Sequence, residues 1–325
     1  MRPATSVVCR FIVEHKDRFG VAPICRALKQ HYDIKIAPRS YYAWLNRGPS
    51  KRALWEATIT EILAGYFEPD DQDRKRPESL YGAVKMWAHL QRQGIPVARC
   101  TVERLMRRNG WHGVTRTRRV RTTIPDPGAT RAADLVDRQF KVDAPNRLLV
   151  ADFTYVRVNA GFVYSAFVID AFAGTILGWE VAARPTAAMV ERALADALET
   201  RRRQRHPIGE GTVHHSDAGT QYTSIAFGSQ LVEHGLRPSI GSVGDAYDNA
   251  LAETTIGLYK TECVTTGSPF HDGLQTIADV ELATAAWVHW YNTSRLMHRL
   301  DRRPPLEAEQ EHWDRQQTVA QEIVK

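Results

Sequence analysis

The stretch that decides the fold is RLLVADFTYVRVNAGFVYSAFVID, residues 147–170. Two runs rich in β-branched and aromatic residues, 148–158 and 162–170, flank the turn-forming Asn159-Ala160-Gly161 and predict a β-hairpin. Strands are also predicted over 175–182 and 213–217, and helices over 187–203, 225–234, 245–261 and 277–291. A meander of three strands followed by alternating helices and strands indicates an α/β fold, with a mixed sheet flanked by helices.

Upstream of the hairpin the sequence predicts helices. Apolar residues at helical spacing favour a helix that Gly20 ends, then a second helix and, after a short turn, a third that begins at Pro38. The pattern recurs over 80–93 and 101–109, which Gly94 and Gly110 end. A helix, a short turn and a helix form the unit that enters a major groove. We predict all-α helix-turn-helix modules over 1–50 and 51–113, although a ligand-free helical bundle explains the first segment equally well.

Positive charge concentrates in the first half of the chain. Residues 1–150 contain 28 lysines and arginines against 15 acids, whereas residues 151–325 contain 15 against 22. This asymmetry favours a polyanion-binding module joined to a site that holds cations. The apolar stripe of the helix over 101–109 leaves three arginines pointing largely outward, toward phosphates or guanine edges: Arg104, Arg107 and Arg108.

The next ten residues add four more arginines and no acid: Arg116, Arg118, Arg119 and Arg121. A solvated arginine face is the alternative explanation for the helix alone. With the additional arginines, we predict a basic linker over 114–146 that lies extended along a DNA backbone.

Composition excludes several classes of protein. The best apolar run, Val163 to Phe172, is short and is interrupted by Ser165 and Asp170, so no membrane span is expected. The first residues lack the apolar core of a signal peptide, so export is not expected and a cytoplasmic location is predicted.

The four cysteines form no C-x-x-C pair and are typical of reduced thiols in a cytoplasmic protein. Cys9, His15, Cys25 and His31 invite comparison with a zinc-binding domain. Their spacings match no standard structural zinc site, and zinc is not expected.

Three acids lie where metal chemistry would need them. Asp152 lies inside an apolar strand, Asp217 ends the fourth strand, and Glu253 falls on a helix. Each alone has a plain structural explanation, as a partnered strand residue, a turn former and a surface acid. Together they fit a two-metal site, because Mg²⁺ prefers carboxylate oxygen and nucleic-acid phosphate can complete its coordination shell.

The spacing of these acids is that of a known motif. Asp217 and Glu253 are separated by 35 residues, and Lys260 follows two helical turns later. This resembles the D, D-35-E core shared by retroviral integrases and bacterial insertion-sequence transposases. The closer resemblance is to the second-frame (orfB) DDE transposase of the insertion sequence 3 family, over nearly the whole chain. The matching motifs are Cys25-Arg-Ala-Leu, Ser40-Tyr-Tyr-Ala-Trp-Leu, Tyr81-Gly, Arg104-Leu-Met-Arg, Pro145-Asn-Arg-Leu-Leu-Val-Ala-Asp-Phe-Thr-Tyr-Val, His214-His-Ser-Asp-Ala-Gly-Thr-Gln-Tyr-Thr-Ser224, Asp248-Asn-Ala-Leu-Ala-Glu, Tyr291-Asn and Pro305-Leu-Glu.

The resemblance implies an RNase H-like integrase catalytic core over 147–265, followed by a C-terminal helical extension over 266–325. Asp152, Asp217 and Glu253 would be the catalytic ligands of two Mg²⁺ ions, which Mn²⁺ can replace. Lys260 would contact element-end DNA, and Asn249 would face the same side, supporting Glu253 and the DNA contact.

Two departures from the family pattern are small: Ala218 stands where a basic residue is usual, and Leu149 where many relatives have Trp. Both His214 and His215 belong to the strand before the second Asp, and structural roles for them are as plausible as functional ones.

The implied function is a DDE transposase that binds the terminal inverted repeats of an insertion sequence and catalyses Mg²⁺-dependent DNA cleavage and strand transfer, through a circular intermediate. Expected partners are element-end and target double-stranded DNA, further copies in a multimer on DNA, and an upstream-frame helix-turn-helix and leucine-zipper protein joined by frameshifting. Two alternatives remain: a DNA-binding regulator with the same fold but no chemistry, and an RNase H-type nuclease.

Overall fold

The computed structural model describes residues 3–115, 135–136, 140–159, 161–217, 219–241 and 249–323. It contains two compact units, Met1–Ile62 and Leu63–Lys325, which are described separately. One helix, α4 (Lys51–Phe67), spans the boundary between them. Within the described ranges, no helix combines the length and the apolar character that a membrane crossing requires.

The first unit is helical. It contains α1 (Thr5–Phe19), α2 (Val21–Tyr32) and α3 (Pro38–Leu45), as well as the first part of α4. Gly20 separates α1 from α2 with a φ of 79°, a backbone conformation that favours glycine. Pro38 occupies the first turn of α3, where its fixed φ suits a helix start. The three helices pack around a core of Val8, Cys9, Ile12, Ile24, Cys25, Leu28 and Tyr41.

The second unit begins with a further helical pair, α5 (Ala83–Arg92) and α6 (Arg99–Arg108). The predicted helix over 80–93 starts later than expected, because Tyr81 and Gly82 have extended backbone after a 3₁₀ turn over Pro77–Leu80. Tyr81 is fully buried: its hydroxyl donates to the Ser294 carbonyl and accepts from the Leu296 N–H, both at 3.1 Å. These bonds fix α5 against the C-terminal part of the chain.

A five-stranded sheet follows, in the order β3-β2-β1-β4-β5. The first three strands are the predicted antiparallel meander: β1 (Leu148–Val158), β2 (Gly161–Asp170) and β3 (Ile176–Ala182). Two short strands run parallel to β1 on its other side, β4 (Val213–Ser216) and β5 (Arg237–Ile240). β4 pairs with β1 only from Leu148 to Ala151, so beyond that point no described strand pairs with β1 on the β4 side, and this stretch is called the open edge of β1.

Helices cover both faces of the sheet. On one face, α7 (Ala187–Arg203) and α8 (Ile225–Glu233) pack over a core that includes Leu149, Ala151 and Val168. At Gly178, α7 approaches β3 so closely that a Cβ would lie 2.1 Å from the Ala193 carbonyl oxygen, so only glycine fits. On the other face, Phe167 of β2 contacts Tyr259 and Trp287, with ring centroids 4.9 and 6.2 Å away.

Those two aromatic residues belong to α9 (Ala250–Tyr259) and α10 (Ile277–Thr293). After Tyr259, α9 continues as a π-helical turn over Lys260–Val264. The predicted helix over 245–261 therefore extends to 264, while residues 242–248 lie outside the described part. The chain ends in α11 (Pro305–Ile323), which fits the expected helical extension.

Candidate active site

Two of the three predicted acids are brought together by the register of the sheet. Ala151 of β1 is paired with Ser216 of β4, so Asp152 and Asp217 occupy the next position on neighbouring parallel strands. Adjacent strands lie about 4.8 Å apart. Asp152 is half-buried, whereas Asp217 is exposed just after β4 ends. The open edge of β1 begins where the two carboxylates lie.

Glu253 reaches the same place through the start of α9. Asn249 precedes that helix, and its side-chain amide donates to the Ala151 carbonyl at 3.0 Å. The Glu253 N–H donates to the Asn249 carbonyl, also at 3.0 Å, so Glu253 lies one helical turn further on the same face. The first turn of α9 is thereby attached to β1 at the residue that precedes Asp152.

Asn249 itself was expected to contact DNA. Its side chain is buried, with 6% exposed, and its amide donates a hydrogen bond to the β1 backbone. In this position Asn249 anchors α9 and leaves little surface for DNA, and its contact with DNA stays a prediction. The expected support of Glu253 is consistent with the anchoring position.

Electrostatics connect the three acids. Burial raises the pKa of the Asp152 carboxyl well above its usual value, and the negative charges of Asp217 and Glu253 raise it further. The Phe153 N–H, which donates to Asp152 Oδ1 at 2.7 Å, and the charge of Lys260 oppose that rise. Partial desolvation raises the pKa of Asp217, against the effects of the Gly219 N–H and His215. The negative charges of Asp217 and Glu253 thus both act on Asp152.

Lys260 lies at this convergence. It follows Tyr259 in the π-helical turn, and its ammonium nitrogen lies 4.7 Å from the centroid of the Tyr155 ring. Its charge also lowers the pKa of Asp152. A cation at this point can contact a phosphate that approaches the acids.

The donor set suits a hard divalent cation. Carboxylate oxygens are the ligands that Mg²⁺ prefers, and two or three suffice when substrate phosphates and water complete the shell. Among the described residues, no group of three or more His, Cys, Asp or Glu side chains is arranged to hold a metal ion by itself. Such a shell would therefore need ligands from DNA or a small approach of the carboxylates, whose mutual repulsion a cation would relieve.

The two histidines of β4 differ. His214 is buried against Phe227, and burial lowers its pKa to about 4, so the ring is neutral at physiological pH. His215 is buried as well, and its Nδ1 lies 2.9 Å from the Ser239 Oγ of β5. His215 thus contacts residues of the fold, and its charge lowers the pKa of Asp217.

The predicted DNA-contacting arginines divide into two groups. Arg104, Arg107 and Arg108 are exposed on α6, while Val102, Leu105 and Met106 of the same helix are buried. The four linker arginines lie outside the described residues, as does Ala218: Arg116, Arg118, Arg119 and Arg121.

Sequence reasoning missed two aromatic residues of the site. Tyr222 is buried beside the acids, and burial together with the charges of Asp152 and Asp217 raises the pKa of its hydroxyl. Tyr155 lies under the Lys260 ammonium. A tyrosine five residues after Asp217 and another three after Asp152 were visible, but their proximity depends on the twist and register of the sheet.

Comparison with protein families matches three models. The first, described as an integrase core domain, covers residues 142–246, and a second of the same description covers 234–305. An HTH-like domain covers residues 71–119, which contain α5 and α6. The two integrase models together contain Asp152, Asp217 and Glu253.

Curated relatives extend the match over most of the chain. The chain is 47% identical over 287 residues to a transposase for insertion sequence element IS986/IS6110 of Mycobacterium tuberculosis, covering 88% of this chain and 99% of that protein. It is 43% identical over 300 residues to the transposase for insertion sequence element IS629 of Shigella sonnei, covering 92% and 94%.

Comparison with solved structures matches a chain of the simian T-cell lymphotropic virus intasome, at 13% identity, 70% coverage of each chain and a TM-score of 0.44. The HTLV-2 integrase catalytic core domain in complex with magnesium matches at 14% identity, with a TM-score of 0.39. The match covers 51% of this chain and 98% of that chain. Assignment rests on the sequence relatives and the integrase core models: the chain belongs to the insertion sequence 3 family of DDE transposases, which bind DNA through an HTH-like domain and catalyse transposition through an RNase H-like integrase core.

Proposed function

We propose that Asp152, Asp217 and Glu253 are the catalytic, metal-binding carboxylates of this transposase, and that it uses them to cut and join DNA at the ends of its own insertion sequence. The observation that carries the proposal is geometric: the register of β1 and β4 places Asp152 beside Asp217, and the Asn249 amide attaches the first turn of α9, which carries Glu253, to the residue before Asp152. Three carboxylates from three separate elements have no structural reason to converge on one exposed edge unless they share a cation.

Divalent ions, two Mg²⁺ or Mn²⁺ in their place, would supply the activation of the attacking oxygen and the stabilisation of the leaving oxygen. The protein residues do the rest. Asp152 and Asp217 present carboxylates from a rigid sheet, and Glu253 approaches from α9. Lys260 holds a phosphate of the element-end DNA beside them. Asn249 fixes the angle of α9, because its amide holds the helix start on β1.

The DNA is held, in this proposal, by the parts of the chain that precede the sheet. Helix-turn-helix modules over 1–50 and 51–113 read the terminal inverted repeats, and the exposed arginines of α6 contact them. A basic linker over 114–146 leads to the catalytic core over 147–265 and the extension over 266–325. Target DNA is the second substrate. The working assembly is a multimer on DNA in the cytoplasm at the nucleoid, joined by the upstream-frame protein.

The test is Glu253→Gln, which keeps the side-chain shape and removes one charge. We expect Mg²⁺ to raise the melting temperature of the parent by mass action, and to raise that of the variant less. Without Mg²⁺ the variant should be as stable as the parent or more so, by about 1 kcal/mol or less, because repulsion is relieved. It should bind DNA and fail at both cleavage and joining.

The matched control is Glu281→Gln, an exposed glutamate on α10. It should respond to Mg²⁺ like the parent and keep its strand-transfer activity. If Glu253→Gln instead loses stability while the remaining folded protein retains full specific activity, Glu253 is a structural residue and the proposed site is wrong.

A further inference from the structure

One face of β1 and β2 carries a row of aromatic side chains. Phe153 and Tyr155 alternate with Asp152 and Thr154 on β1, and Tyr164 and Phe162 lie opposite on β2, since Tyr155 pairs with Tyr164. The inner end of the row is covered, with Phe153 packed 6.1 Å from Tyr222 between ring centroids. The outer end is not: Tyr155 is 55% exposed and Phe162 53% exposed.

Tyr155 and Phe162, here called the aromatic pair, contact each other edge to face, with ring centroids 5.4 Å apart and planes at 87°. Such a pair is held in place by its own contact. Exposed large aromatic residues are costly in water and often mark binding surfaces. Arg157, which pairs with Phe162 across the strands, is exposed beside them.

The aromatic pair lies beside the carboxylates. Tyr155 is three residues from Asp152, which is about 10 Å along an extended strand. Lys260 belongs to the π-helical turn after α9, which packs on the sheet face toward which Asp152 points. Its ammonium nonetheless lies over the Tyr155 ring, 4.7 Å from the centroid. The ammonium therefore lies against the aromatic pair and is near enough to Asp152 to lower the pKa of that carboxyl.

We propose that the aromatic pair is a stacking site for an unpaired base of the DNA end, about three nucleotides or fewer from the phosphate held at the carboxylates, at the 3.4 Å rise of one strand. This inference rests on the proposed function of Asp152, Asp217 and Glu253. A nucleobase fits because it has an apolar face for the rings, while its phosphate carries the charge that Lys260 and Arg157 complement. Opening the terminal pairs would also give the scissile phosphate freedom to approach the acids.

The experiment compares two DNA probes on the full chain in EDTA. One is a short, fully paired duplex, and the other is the same duplex with three mismatched terminal pairs and 2-aminopurine at the end. We expect the parent to bind the mismatched probe about tenfold more tightly and to quench its fluorescence, because stacking on an aromatic side chain stabilises an unpaired base. Omitting metal separates this measurement from catalysis.

Tyr155→Leu and Phe162→Leu should each lose most of that preference and of the quenching while binding the paired duplex as the parent does. Tyr155→Trp should keep both, since stacking needs an aromatic face. Asp217→Asn should also keep the preference, so that failure of the carboxylate proposal shows itself separately, as retained strand transfer by that variant.

Retention of the preference and the quenching in both leucine variants would overturn the inference. In that case, sedimentation would show what the aromatic pair does instead. A smaller species in the leucine variants than in the parent would identify the aromatic pair as a contact between copies of this chain.

Discussion

The pKa of the Asp152 carboxyl depends on three charged side chains from other elements and on the N–H of the residue that follows it. Two carboxylates and burial favour its protonated form, while a backbone N–H and Lys260 favour the ionised form. The balance means that the carboxylates are held near one another at an electrostatic cost. Lys260 offsets part of that cost and is also the group that a phosphate would meet first.

Lys260→Ala should weaken binding of element-end DNA and strand transfer by about tenfold or more, as expected for loss of a charge-assisted contact of 1.5–3 kcal/mol. Its effect on the melting temperature should be small, since a partly exposed helix lysine contributes little to folding. Lys260→Arg should retain part of the activity. Strand-transfer assays on short oligonucleotides would measure this, and unchanged transfer in Lys260→Ala would remove Lys260 from the site.

At the scale of the element, α9 is fixed at both ends. Asn249 bonds to β1 at its start, and at its end the Tyr259 hydroxyl lies 3.1 Å from the Ser165 hydroxyl of β2 and 2.7 Å from that of Thr284 in α10. The helix that carries Glu253 is thereby held by polar contacts to the sheet and to its neighbour. The position of Glu253 is therefore fixed by the buried residues that anchor both ends of α9.

Asn249→Ala should therefore lower stability by about 1–3 kcal/mol, because the Ala151 carbonyl is left buried without its donor. Strand transfer per folded molecule should also fall, while the affinity for DNA stays close to that of the parent. Thermal melts, binding assays and transfer assays on the same preparation would separate these effects. A selective loss of DNA affinity would show instead that Asn249 contacts DNA.

Much of this element order was predictable, because α7 and β1 to β3 have long periodic patterns and strong turn signals. β5 was not, since it has four residues and contains Pro238. The carboxylates were found through the 35-residue spacing between Asp217 and Glu253. The burial of Asn249 and the approach of Lys260 to Tyr155 depend on tertiary packing, which spacing along the chain does not contain.

At the scale of the whole second unit, a buried ion cluster joins the sheet to the C-terminal helix. The guanidinium of Arg201 on α7 donates to Asp170 of β2 at 2.8 Å and to Glu309 of α11 at 2.7 and 3.0 Å. All three residues are nearly inaccessible to water. Burial and the neighbouring Glu309 raise the pKa of Asp170, and the charge of Arg201 opposes that rise.

Arg201→Met should cost about 3–5 kcal/mol, because two buried carboxylates lose their counter-ion. The deficit should shrink as pH falls from neutral toward the pKa of Asp170. A raised folded-state pKa contributes stability that is present at low pH and lost as pH rises through that pKa. Denaturation of parent and variant across pH would measure this.

The control is Arg192→Met. Arg192 lies on α7, like Arg201, but its ion pair with Glu180 of β3 (2.6 Å) is more exposed, and the loss of that pair should cost about 1 kcal/mol or less. Equal costs for the two variants, or a deficit in Arg201→Met that does not vary with pH, would contradict the role given to the cluster.

The Tyr81 hydroxyl, held between the Ser294 carbonyl and the Leu296 N–H, has a consequence for where the enzyme cuts. It attaches the HTH-like domain to residues that directly follow α10, the helix packed beside α9. If α6 and the carboxylates act as proposed, this attachment holds the DNA-reading helix at a fixed distance from the carboxylates within the second unit. Because both partners are backbone groups, Tyr81→Phe is the substitution that removes the two bonds, and it would loosen this attachment while leaving α6 and the three carboxylates unchanged.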